Sequence, residues 1–257
     1  MRRSQFLNSS GLRKDGRRAH EIRRIRCTFG VSEDADGSVL YEQGLTRVLV
    51  LVHGPREAMF RRSKKEGEVS ISCEYRTTPF DSSEHRERRR GMDRKSVDLA
   101  KTVKRSMEAA VLCDQYPRSQ IRISLYGIRS DGGMLCACIN ATTLALIDAG
   151  VPMRDYVVAC SAGYLQKNFL TDLNYLESSA GKPNLPVAIL PRSKRVVMSR
   201  LKCKLEIEKF EGLLKSAQKG CESVYEILKS AVKERAALVL QGHGNATTGG
   251  NDSTSSM

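Results

Sequence analysis

Apolar positions along this chain fall into two periods. Residues 22–31 (IRRIRCTFGV), 46–55 (TRVLVLVHGP), 69–76 (VSISCEYR) and 120–129 (QIRISLYGIR) are rich in β-branched side chains, and several alternate apolar with polar positions. That is the period of a half-buried strand. Residues 38–42 follow Asp34-Ala35-Asp36-Gly37, a turn signal, so 22–31 and 38–42 predict a hairpin or meander that opens the fold. Further strands are predicted at 156–165, 187–190 and 195–201. Three segments switch to helical spacing. In 95–112, Leu99, Val103, Met107, Ala110 and Val111 form one stripe, with Pro117 beyond its end. Residues 134–149 are apolar or small almost throughout and stop at Gly150 and Pro152, as suits a helix buried on most sides. In 206–235, apolar positions recur at Ile207, Phe210, Leu214, Ala217, Cys221, Val224, Leu228 and Ala231, a heptad stripe. Ala217 and Cys221 are weak seam residues, and Gly212 and Gly220 weaken a free-standing helix. A long helix packed along its own domain is therefore favoured over a coiled coil.

Strands interrupted by single helices predict a mixed α/β (α+β) class: mixed β-sheets with packed helices in a single domain over residues 1–241. From Gly242 onward, GHGNATTGGNDSTSSM lacks apolar positions that would offset the cost of ordering, so 242–257 is expected to be a disordered tail.

Charge narrows the choice of partner. The 257 residues carry 43 Lys and Arg against 29 Asp and Glu, a formal net charge of +14. Such a surplus favours a polyanion, nucleic acid ahead of an anionic membrane. No stretch approaches the roughly 18 apolar residues of a membrane span, and MRRSQFLNSS lacks the apolar run of a secretory signal. The eight cysteines sit mostly in apolar runs without a CxxC pair, which reads as buried thiols in a reducing compartment. CxC at Cys136 and Cys138, with Cys160 further on, lacks metal-ligand spacing, so no metal and no cofactor is expected.

Two basic runs are candidate contacts. Arg61-Arg62-Ser63-Lys64-Lys65 follows the strand ending at Gly54-Pro55, and RERRRGMDRK (86–95) leads into the helix beginning near Ser96. Cations at element ends replace condensed counterions on a phosphate backbone and give sequence-tolerant affinity. With no Trp, six Phe and eight Tyr, none interleaved with these runs, backbone tracking fits better than base stacking. Asp131-Gly132-Gly133, ahead of the buried helix, reads either as a turn or as an opening where helix N–H groups approach an anion.

Together these segments resemble one family. DGGMLCACINATTLALIDAGVPMRDYVVACSAGY (131–164) is similar to the corresponding stretch of ribonuclease PH-like proteins. Lys14-Asp15-Gly16-Arg17-Arg18 resembles their N-terminal R-x-D-G-R element, and EQGLTRVLVLVHGPRE (42–57) their G-x-T-x-V…GP-x-E pattern. The likeness runs in order from about residue 11 to 240. Within the family, GMDRKS (91–96), PRSQI (117–121) and DAGVPMRDYV (148–157) look most like the ring subunits of the eukaryotic RNA exosome. The resemblance implies a ribonuclease PH-like fold, a hexameric ring of such domains around a channel, RNA-binding cap subunits, and RNA threading to an associated catalytic nuclease. It implies work on ribosomal and other RNA in the nucleus, the nucleolus and the cytoplasm.

Active relatives catalyse phosphorolysis: phosphate attacks the 3′-terminal phosphodiester and releases nucleoside diphosphates. The chain departs from their pattern where that chemistry is done. Where they carry Gly-Thr-Arg or Gly-Ser-Arg, it has Gly133-Met134-Leu135, losing a hydroxyl and a guanidinium. Met and Leu donate no hydrogen bonds and desolvate a phosphate without compensation. Of two carboxylates six residues apart, Asp172 fills the first place and Ser178 stands at the second, with Glu177 one residue earlier. The resemblance thus implies a non-catalytic subunit with a vestigial site at Gly132, Gly133 and Asp172. Arg94 and Lys95 match the family's paired RNA-gripping cations, and Arg61 and Arg62 match the loop lining its channel entrance. Two other readings remain: an active phosphate-dependent 3′-to-5′ exoribonuclease, and a monomeric basic RNA-binding module.

Overall fold

The computed structural model describes Phe6, Asn8 and residues 11–57, 69–78, 93–166, 168–181 and 183–247. A five-stranded sheet is built from β1 (Ile25–Phe29), β2 (Gly37–Gln43), β3 (Thr46–Glu57), β4 (Ser70–Thr77) and β5 (Ser119–Arg129), in the order β1-β2-β3-β5-β4. Its pairs are antiparallel except β4 with β5, which run parallel and are connected through helix α1 (Arg94–Glu108). Helix α2 (Met134–Asp148) leads from β5 to a second sheet of β6 (Val158–Leu165), β7 (Asn168–Thr171), β8 (Asn184–Leu190) and β9 (Arg195–Ser199), ordered β7-β6-β8-β9. A four-residue helix α3 (Tyr175–Ser178) follows β7, and α4 (Ile207–Thr247) closes the chain.

The periods in the sequence place the layers. Val48, Val50 and Val52 alternate on β3 and point to the core beside Ile121, Ile123 and Leu125 of β5, all fully buried. α2 packs against β2 and β3 on one side and β6 and β8 on the other, which is why every residue from Cys136 to Leu146 is buried. α4 covers the other face of β6 and β8 with Leu213, Ala217, Cys221, Val224 and Leu228. Asn140, wholly buried on α2, donates to the Ala159 carbonyl at 3.0 Å and accepts from the Ala159 amide at 2.7 Å, tying the central helix to β6. One large set of buried apolar side chains runs through both sheets, and Leu165, Leu170 and Leu173 form a smaller cluster beside it.

Some expected boundaries move. The helix predicted at 95–112 ends at Glu108, because Val111 bridges to Met153 and Leu112 donates to the Pro152 carbonyl. The strand predicted at 156–165 starts at Val158, and β7 and α3 are additions. α4 continues through Thr247, past the Gly242 at which the tail was expected to begin; residues 248–257 lie outside the described residues.

Candidate functional site

Asp131-Gly132-Gly133 forms the turn between β5 and α2. Both glycines have positive φ, 80° and 66°. Gly133 is the N-cap of α2 with no side-chain cap. The turn lies against the chain after β7: a Cβ on Gly132 would come within 2.7 Å of the Leu173 carbonyl oxygen. A side chain at Gly132 would push this wall away, and with it Asp172.

A guanidinium sits between this turn and Asp172. Arg23, 6% exposed, donates from Nη2 to Asp172 Oδ1 at 2.8 Å and from Nε to Oδ2 at 3.0 Å, and its backbone amide also donates to Oδ2 at 2.8 Å. Its Nη1 donates to the Asp131 carbonyl at 2.7 Å, and Nη2 would lie 3.1 Å from a Cβ on Gly133. Arg17 adds a second cation at 3.5 Å from Asp172 Oδ2. Burial pushes the Asp172 carboxyl up, but the bonds and charge of Arg23 and then Arg17 outweigh it and hold the group below the usual carboxylate range. The Arg23 guanidinium is pushed down by burial and held up more strongly by Asp172.

The other acidic positions are also engaged. Glu177 is 3% exposed, lies 3.6 Å from Arg13, and forms a reciprocal capping box with Asn174. Ser178 accepts from the Asn184 amide at 3.2 Å. Met134 and Leu135 pack against the apolar core. A catalytic metal would require carboxylate oxygens free to turn toward it. Here one carboxylate is clasped by two arginines, one caps a helix, and the last position is a serine, so the donor set does not fit a cation. Among the described residues, no group of three His, Cys, Asp or Glu side chains is placed to hold a metal. Desolvation pushes the thiols up, the half-buried Cys27 and Cys73 to about 12.

Of the predicted RNA contacts, Arg94 and Lys95 lie among the described residues. Val69 at the head of β4 donates to the Cys113 carbonyl, just after α1, so α1 runs back along β4 and starts at that strand's carboxyl end. The starts of α1 and α2 therefore both lie beyond the carboxyl ends of the parallel pair, where open sheets bind ligands. Arg94 and Lys95 occupy the first two positions of α1, exposed, with no ion pair among the described residues. No acidic residue lies in that first turn. Arg61 and Arg62 lie outside the described residues. Gly132, Gly133, Met134 and Asp172 are thus brought together.

Arg13 and Arg23 are the site residues that sequence reasoning missed, while Arg17 was marked only as part of the N-terminal element and given no role. One signal was available: Arg23 continues the inward phase of Ile25, Cys27 and Phe29.

Two strand-and-helix layers sharing α2, with a glycine turn feeding that helix, define a ribonuclease PH-like fold. The models of the 3′ exoribonuclease family match it in two parts, domain 1 over residues 21–152 and domain 2 over residues 155–220. The chain is 42% identical over 231 residues to "Exosome complex component RRP41 homolog" of Arabidopsis thaliana, covering 90% of this chain and 95% of that protein. It is 39% identical over 241 residues to human "Exosome complex component RRP41", covering 93% and 98%. The chain belongs to the 3′ exoribonuclease family, and within it to the group of exosome components called RRP41. Rice Rrp46 shares the fold at a TM-score of 0.75 and 22% identity, over 85% of this chain and 99% of that one. A chain of the Archaeoglobus fulgidus exosome with RNA bound to the active site does so at 0.72 and 24%, over 84% and 92%.

Proposed function

We propose that this chain is a non-catalytic subunit of the exosome ring, which builds the channel that binds and threads RNA toward an associated nuclease. Its partners are RNA, other ribonuclease PH-like ring subunits and RNA-binding caps. Its substrates include ribosomal RNA, and it works in the nucleus, nucleolus and cytoplasm. One observation carries the silent-site reading: the Arg23 guanidinium lies in the glycine turn with Asp172 clasped to it, while Met134 and Leu135 open α2 without a donor side chain. Phosphorolysis must neutralise an incoming phosphate and a five-coordinate phosphoryl centre, and losing one such donor costs about 10²–10³ in rate. Losing a hydroxyl, a guanidinium and a carboxylate from one pocket leaves no useful turnover.

The conduit role rests on Arg94 and Lys95. Cations at a helix N-terminus oppose its dipole, at a cost of about 0.3–1 kcal/mol each. Nothing in the fold requires them there, whereas phosphates tracking past the carboxyl edge of the sheet would. The test is incubation of the assembled ring, without added nuclease, with 3′-labelled RNA and inorganic phosphate. The expected result is intact RNA; nucleoside diphosphates that disappear with Asp172→Ala would make this chain the enzyme.

A further inference from the structure

Between Glu177 and Glu206 the chain has no acidic residue and seven Lys or Arg. Part of this run is fixed beside the start of α1. After β9, the Arg200 amide donates to the Pro186 carbonyl at 3.2 Å, and the Arg200 guanidinium meets Asp98 Oδ2 at 2.6 Å. Asp98 lies four residues after Arg94 and three after Lys95, hence one helical turn, about 5.4 Å, along the same face of α1. Beyond the clamp, Leu201 and Leu205 pack against the core, while Lys202 and Lys204 between them are exposed and form no ion pair among the described residues.

We infer that Lys202 and Lys204, docked onto α1 through Arg200–Asp98, extend the Arg94–Lys95 contact into a continuous strip that tracks the phosphate backbone of single-stranded RNA. The inference rests on the proposed RNA-conduit reading and assigns that path a second element. Two elements contribute five cations, Arg94, Lys95, Arg200, Lys202 and Lys204; among the described residues of these two stretches, 93–98 and 200–205, the carboxylates are Asp93 and Asp98, and Arg200 pairs with Asp98. The anchoring leucines hold the connector in place, so the lysines are presented without the ordering cost of a free loop. With no aromatic side chain in either segment, the strip reads phosphates rather than bases.

The experiment measures binding of a fluorescein-labelled oligouridylate to the full chain, alone and in the assembled ring, across a salt series. It compares wild type with Lys202→Gln/Lys204→Gln, Arg94→Gln/Lys95→Gln, and a charge-matched control, Arg192→Gln/Lys194→Gln, at the other end of β9. Each phosphate contact on single strands contributes about 0.7 to the slope of log K against log salt, so the connector pair is expected to lower that slope by about 1.4 and weaken binding about three- to tenfold. The control is expected to change neither, and because the connector lysines are exposed, thermal unfolding should be unaltered. If the α1 pair weakens binding and the connector pair does not, the inference fails while the conduit reading stands. If neither pair changes it, both fail. If the connector pair binds RNA normally but drops out of the ring, the strip is a protein interface and the inference is overturned.

Discussion

Asp172 shows at the level of one residue how two cations hold a buried carboxylate in its charged form. It sits at positive φ, 55°, a strained conformation for a residue with a Cβ, and two arginines close on its carboxylate. Because its folded pKa lies below the unfolded value of about 3.9, the stability it contributes is complete at neutral pH and is lost as pH falls through the folded value. Asp172→Asn would leave the Arg23 guanidinium buried without its counter-charge, at an expected cost of about 3–5 kcal/mol at pH 7. Urea unfolding should show that loss together with a shallower decline in stability below pH 4 than the wild type has. An unchanged midpoint at pH 7 would mean that the clasp contributes nothing. The sequence contained this clasp only in part. Resemblance marked Asp172, but a buried arginine on the inward phase of a strand looks like a surface cation until its partner, 149 positions away, is known.

Elements were legible in proportion to their length and periodicity. α2 could be read because an apolar run between a glycine turn and Gly150-Val151-Pro152 has few alternatives. β7 and α3, four residues each, carry too few positions for a period to show, and it is their tertiary partners that fix them: the Thr171 amide to the Ala19 carbonyl, Glu177 to Arg13. The glycines of α4 read as weaknesses in a helix, and the packing supplies their reason. A Cβ on Gly220 would meet Cys160 Sγ at 2.7 Å and the Thr171 methyl more closely still, where α4 crosses the second sheet. In an exposed helix Gly→Ala stabilises by about 1 kcal/mol. At Gly220 the overpacking reverses the sign, so Gly220→Ala should destabilise by about 1–3 kcal/mol and lower Tm. A raised Tm would mean that the helix moves aside without cost.

At the scale of the whole molecule, the fold brings together in space what lies far apart in sequence, and the proposed loss of phosphorolysis is argued from that assembly. Arg23, the glycine turn running into the first turn of α2, and the segment from Asp172 to Ser178 come from three places in the chain, and the proposal rests on the hydroxyl, guanidinium and free carboxylates that this set does not offer. Restoring part of the set should therefore return part of the function. Met134→Thr with Leu135→Arg puts a hydroxyl and a guanidinium back at the start of α2, where helix N–H groups already favour an anion. The double variant should gain phosphate-dependent thermal stabilisation, because both side chains address the anion directly. It should still release no nucleoside diphosphate, because Asp172 stays clasped and Ser178 brings no carboxylate, and each missing charge costs about 10²–10³ in rate. Adding Ser178→Asp returns the second carboxylate but leaves Asp172 clasped, so any product from the triple variant should form about 10²–10³-fold more slowly than with both carboxylates free. Turnover by the double variant alone would show that the carboxylate set was never the barrier, and that the pocket was kept silent by the apolar pair at 134 and 135.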